Sequence, residues 1–204
     1  MGRKLFIVAA VLFLTACGRI IISSGKSPLS EAERLKLASI YASKGEDELA
    51  LKEYAGILEG NKKSAGAYFG IGNVHLKRKN YKVAQENYLK AIEADPANGV
   101  FRNNLGWAYM EEGEIKKAED EIKAALRIDP EREYIYYDTL GVIKTRAGNY
   151  PHAEGALLEA VRSAPPSEVT GLKEIYGHLL ELYKISGQGE KAEALEDKIR
   201  EMGL

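Results

Sequence analysis

The chain has 204 residues, with 29 Lys and Arg against 30 Asp and Glu and a formal net charge of -1. That balance provides no basic surface to neutralise a phosphate backbone, so nucleic acid is not an expected partner. With 45% hydrophobic and 29% charged residues, the chain can bury a core and does not have the composition of a disordered segment. Cys17 is the single cysteine, which excludes an internal disulfide, and the three histidines have spacings that match no metal motif, so neither a metal nor another cofactor is expected.

The chain begins with a cationic head, Gly2-Arg3-Lys4, followed by ten uninterrupted apolar residues from Leu5 to Leu14. At about 1.5 Å per residue such a run reaches only about half of a hydrocarbon core of about 30 Å. Gly18 and Arg19 interrupt any extension into Ile20-Ile21-Ile22. The pattern is that of a secretion signal and not of a permanent membrane span. Its last residues, Leu14-Thr15-Ala16-Cys17, resemble the lipobox of bacterial lipoproteins. The resemblance implies a signal peptide over 1–16, cleavage after Ala16, and diacylglycerol and fatty acyl groups such as palmitate at Cys17. Two or three acyl chains hold a protein on a bilayer stably, whereas one does so only marginally. With Gly18 and not Asp after the cysteine, the same resemblance implies an outer-membrane lipoprotein facing the periplasm of the bacterial cell envelope.

Residues 17–30 read as a lipidated tether, because Ser, Gly and Pro cluster there without helical period. Ser30 to Glu33 has the S-x-x-E spacing of a capping box, which places the first helix of the folded region at residue 31. From there the chain repeats itself. Pro96 and Pro130 lie 34 residues apart in Ala94-Asp95-Pro96 and Ile128-Asp129-Pro130. A small residue recurs at the eighth position of each unit (Ala38, Gly72, Gly106, Gly141) and Ala at the twentieth (Ala50, Ala84, Ala118, Ala153, Ala192). Small side chains at both places let two helix backbones approach closely. Gly45, Gly113, Gly148 and Gly187 stand where a first helix must end in the left-handed conformation, with Lys79-Asn80 as the substitute in the second unit.

This pattern resembles the tetratricopeptide repeat, a 34-residue helix-turn-helix unit, over nearly everything after residue 30. The expected fold is all-α, a right-handed α-solenoid of five stacked units over 31–204, at 31–64, 65–98, 99–132, 134–167 and 173–204. The fifth unit departs from the pattern. Leu180 replaces the small residue, Ser167 to Leu172 adds an irregular or lengthened start, and the charged second helix reads as a solvating end cap.

No nucleophile, acid-base pair or metal set lies in sequence positions that the repeat would bring together, so the chain is not expected to be an enzyme. His75, His152 and His178 read as structural. Gly70-Ile71-Gly72 lies inside a helix and lacks the third glycine of a dinucleotide loop. The resemblance implies instead a concave groove lined by first helices that takes a protein or peptide partner. Its groove positions are Phe69, Asn73 and Lys77 in the second unit, Asn103, Asn104, Trp107 and Met110 in the third, and Asp138, Thr139, Val142 and Arg146 in the fourth. Side-chain amides offer a donor and an acceptor together, suited to an extended backbone of any sequence. Phe69, Ile135 and Thr139 occupy positions where family members that clamp a C-terminal carboxylate carry Lys or Arg, so that narrower mode is not expected. The resulting expectation is a membrane-anchored, noncatalytic interaction scaffold. The alternatives are a pilotin-like or outer-membrane-assembly lipoprotein and an accessory subunit of a separate enzyme.

Overall fold

The computed structural model describes residues 29–203. The expected signal peptide, Cys17 and nearly all of the tether lie outside them. Ten α-helices follow one another as five hairpins: α1 (Glu31–Ser43) with α2 (Asp47–Gly60), α3 (Ala65–Lys77) with α4 (Tyr81–Ala94), α5 (Gly99–Glu111) with α6 (Ile115–Ile128), α7 (Glu133–Arg146) with α8 (Tyr150–Ser163), and α9 (Val169–Ile185) with α10 (Gly189–Met202). Among the described residues there is no strand, and no helix is long and apolar enough to cross a membrane.

Local signals set the boundaries. The Ser30 hydroxyl accepts from the Glu33 amide while the Glu33 carboxylate accepts from the Ser30 amide at 2.8 Å, closing the capping box. Ser64 and Asn98 cap α3 and α5 in the same sense. Every first helix ends in one recurring turn, where an amide reaches back five residues: Glu46 to Tyr41, Asn80 to His75, Glu114 to Tyr109, Asn149 to Lys144 and Gln188 to Tyr183, all at 2.8 or 2.9 Å. That bond requires a left-handed residue just before it. Gly45, Gly113, Gly148 and Gly187 supply it with φ between 72° and 81°, and Lys79 supplies it at φ 60° despite its Cβ.

The second, third and fourth hairpins close because a large side chain of the second helix rests on the backbone of the first. A Cβ at Gly72 would stand 2.5 Å from the Tyr88 ring, one at Gly106 2.8 Å from Ile122, and one at Gly141 2.5 Å from Leu157. Tyr54 likewise lies against Gly70 of the next unit. Tyr88, Ile122 and Leu157 are fully buried, as are Ala84, Ala118 and Ala153 one turn earlier. Each first helix also touches the next first helix, whereas among the described residues the second helices make no comparable contact with one another. The array therefore bends with α1, α3, α5, α7 and α9 on its inner face.

The fifth hairpin differs. Its α9 has 17 residues against 13 or 14 in the other first helices and begins at Val169, four residues before the 173 expected from the repeat. The extra residues extend the helix because Leu172 and Ile175 continue its apolar face, with Leu172 packed partly buried on the last core cluster, while Val169 at the start is exposed. Leu180 occupies the place of the small residue, and Glu196 pairs with Lys184 at 2.8 Å on the surface instead of wedging between the helices.

Gly72→Ala and Gly141→Ala should each destabilise the array. A gain of up to about 1 kcal/mol from helix propensity is outweighed by about 1–3 kcal/mol of overpacking against Tyr88 or Leu157. Gly155→Ala should stabilise by about 0.5–1 kcal/mol, since a Cβ there meets nothing within 4 Å. Thermal melts of the three variants check the contrast.

Candidate functional site

The inner face carries a ladder of polar contacts, one rung at each junction between successive first helices. Between α3 and α5, the Asn104 amide donates to Asn73 Oδ1 at 2.9 Å, and the buried Tyr88 hydroxyl donates to the same oxygen at 2.8 Å. Burial holds the Tyr88 phenol well above its ordinary pKa, so it remains a neutral donor. Both lone pairs of Asn73 Oδ1 are thereby engaged. The Asn73 Nδ2 donor and the Asn104 Oδ1 acceptor make no hydrogen bond within the described residues, and both asparagines are partly exposed. The bonds that fix the pair therefore leave one donor and one acceptor side by side on the inner face.

Between α5 and α7, Trp107 Nε1 donates to Thr139 Oγ1 at 3.2 Å, and the Thr139 hydroxyl donates to the Ile135 carbonyl. Arg146 and Glu111 pair at 2.7 Å across the same junction. At the first junction Lys77 reaches the Ala42 carbonyl and Asp47, both at 3.4 Å. The neighbouring Arg78 bonds Asp47 at 2.9 Å and holds its carboxyl below the usual range. Between α7 and α9, His178 Nδ1 lies 2.8 Å from Asp138 Oδ1.

The expected groove residues do not all lie open. Met110 is 1% exposed and packs with Ala118, Ile122, Tyr136 and Ile143 in the core between the third and fourth hairpins, where its flexible thioether fills the space. Asn103 is 6% exposed, and its Oδ1 is buried without a hydrogen-bond partner. Thr139 is buried as well. Helix α5 is flanked by α3 and α7 as well as by α4 and α6, so positions that would be open on a terminal helix are covered there from both sides. Met110, Asn103 and Thr139 are thus packing residues, not ligand contacts. Phe69 is partly buried with its ring 4.9 Å from Phe101 and 5.8 Å from Tyr88, more a wedge between units than a groove surface. Asn73, Asn104, Trp107, Asp138 and Val142 remain partly exposed on the inner face, with Lys77 and Arg146 at its edge.

The lengthened α9 adds a feature that the sequence pattern did not disclose. A cleft of about 240 Å³ opens between α7 and α9, lined by Tyr134, Ile135 and Ile175 together with Asp138, Glu168 and Glu174. Glu168 belongs to the added residues, for which the only sequence signal was the irregular start at Ser167 to Leu172. The histidines have separate partners: His75 approaches Asn80 at 3.5 Å, His152 bonds Asn149 at 2.7 Å, and His178 faces Asp138. Among the described residues no three His, Cys, Asp or Glu side chains are grouped to hold a metal.

Known proteins match this architecture. The tetratricopeptide-repeat family model matches residues 69–133. The fold is an all-α solenoid of helical hairpins, similar to solved tetratricopeptide-repeat structures. The chain is 35% identical over 98 residues to small glutamine-rich tetratricopeptide repeat-containing protein 2 of Mycosarcoma maydis, covering 48% of this chain and 28% of that protein. It spans less than a third of the length of the curated relatives it matches. A thermophilic tetratricopeptide-repeat protein of Thermus thermophilus superposes with a TM-score of 0.71 at 23% identity, over 84% of this chain and 91% of that one. YrrB, described as a repeat protein with an unusual peptide-binding site, superposes with a TM-score of 0.57 at 23% identity, over 83% and 84% of the two chains.

The His178 contact gives this face a pH signature. The hydrogen bond to Asp138 raises the His178 pKa above its ordinary value, against burial, and Glu181 and Glu174 add to the rise. A raised folded-state pKa means that the stabilisation is fully present below the unfolded pKa of about 6.5 and is lost as pH rises through the higher folded value. The difference in melting temperature between the parent chain and His178→Gln should therefore be largest near pH 5.5 and shrink steadily toward pH 9. Melts at half-unit pH steps measure it.

Proposed function

We propose that the chain is a noncatalytic interaction scaffold that holds an extended protein or peptide segment along its first helices, and that lipid on Cys17 tethers it to a bacterial membrane. The observation that carries the first half is the Asn73–Asn104 pair. Its geometry is fixed by Tyr88, and it presents one uncommitted donor and one acceptor on the inner face. An extended backbone offers the complementary acceptor and donor, so the pair grips main chain without demanding a side chain. Trp107 beside it supplies apolar area at low entropic cost. The unusual peptide-binding site described for YrrB, a protein of the same fold, supports the same use here. The second half rests on the apolar run and the Leu14-Thr15-Ala16-Cys17 sequence. Service to an outer-membrane secretin, to outer-membrane assembly or to a separate enzyme is a narrower use of the same face.

A photo-crosslinking residue at Val142, on the inner face, should capture a partner in cells, whereas one at Glu93, exposed on the second helix α4, should not. With the captured partner purified, the Asn73→Ala, Asn104→Ala double variant should bind at least tenfold more weakly, since leaving backbone groups unpaired in a partly buried site costs about 1–3 kcal/mol each. Adducts from Glu93 alone, or unchanged affinity in the folded double variant, contradict the groove. The tether is tested separately: Cys17→Ser should abolish the lipid adduct seen by intact mass and release the chain from membranes, and an unmodified Cys17 in the mature protein contradicts it.

A further inference from the structure

The polar side chains of the first three inner-face junctions are largely consumed internally, by Lys77 with Asp47, by Asn104 with Asn73, and by Arg146 with Glu111. The fourth is different. Asp138 bonds His178, but Glu168 and Glu174 make no ion pair among the described residues and stand exposed around the α7–α9 cleft. The lining of that cleft also includes the apolar Ile135 and Ile175 and the aromatic Tyr134. The cap of α9 does not use Glu168, which makes no side-chain bond to the helix, and Glu174 acts on His178 only through space.

We infer that the α7–α9 cleft is a side-chain pocket of the binding face and takes an arginine of the bound segment. This rests on the inner face being the binding face, and it adds the chemistry of one residue of the partner. An arginine stem is apolar enough to lie on Ile135 and Ile175, and its guanidinium is planar, weakly hydrated and suited to bonding carboxylates two at a time. The Tyr134 ring gives that plane a stacking surface. A cleft of about 240 Å³ admits one long side chain and not a folded element. The cations nearest in sequence, Arg132 before Tyr134 and Lys173 beside Glu174, do not line it. A carboxylate or neutral side chain there would leave Glu168 and Glu174 uncompensated, so the charge sign selects the occupant. The Asn73–Asn104 pair would hold main chain while this pocket reads a side chain further along.

The test uses the isotope-labelled full chain and two blocked pentapeptides, Ala-Ala-Arg-Ala-Ala and the same peptide with Gln in place of Arg, followed by amide shift changes. The arginine peptide should give saturable shifts centred on Thr170, Gly171 and Glu174, weakened by added salt, and the glutamine peptide should give none there. Glu168→Gln with Glu174→Gln should weaken the arginine peptide at least tenfold while leaving the melting temperature within a degree or two of the parent. Equal shifts with both peptides, or an unchanged affinity in the folded double variant, overturns the pocket. If shifts then appear at Asn73, Asn104 and Trp107, the inner face remains the binding face and only the arginine pocket falls. Shifts confined to the second helices overturn both.

Discussion

The fold depends on how closely the two helices of a hairpin can approach. With Gly72, Gly106 and Gly141 bare, the Tyr88, Ile122 and Leu157 side chains rest directly on the backbone of the first helix. A hairpin closed this tightly buries one side of each helix and leaves the other apolar, so its neighbour must cover it. Tyr54 against Gly70 is that cover seen between units, where the side chain that closes the first hairpin also seats the second. Stacking, curvature and the inner face all follow from the same contact.

Curvature then decides where chemistry can occur. Because first helices touch one another and, among the described residues, second helices make no comparable contact, inner-face side chains from successive units come within hydrogen-bond reach. Most of that polarity is used to lock one unit to the next, as in Asn104 to Asn73 and Trp107 to Thr139. Buried tyrosines reinforce the locks: Tyr136 donates to Asp129 at 2.6 Å, and Tyr183, whose phenol is pushed up to about 12 mainly by burial, donates to Glu154 at 2.9 Å. A surface fixed in this way is preorganised, so a bound segment meets groups that need little further ordering.

The features legible from sequence were those the backbone itself demands. Small residues at the close approach, glycines at the left-handed turns, Lys79 as their substitute and the Ser30 capping box all have physical causes local to one hairpin. What periodicity could not disclose depended on neighbours. The repeat register places Met110 and Asn103 on the inward side of α5, yet it does not tell how far α7 and α3 cover them. Likewise, Ser167 to Leu172 breaks the repeat, but whether added residues form a loop or a further turn of helix is decided by packing on the fourth hairpin, and that turn brings Glu168 to the cleft. Cys17 and the apolar run before it have no counterpart in the described residues, and their role rests on sequence chemistry alone.

The central claim, that the inner face of the array is where a partner is held, is tested most directly by hydrogen exchange on the full chain, free and bound to the partner recovered from cells. The account predicts that binding slows exchange in α3, α5, α7 and α9, most strongly around Asn73, Asn104 and Trp107, and leaves the exposed faces of α2, α4, α6 and α8 unchanged. Protection confined to those second helices, with the first helices unaltered, would contradict it.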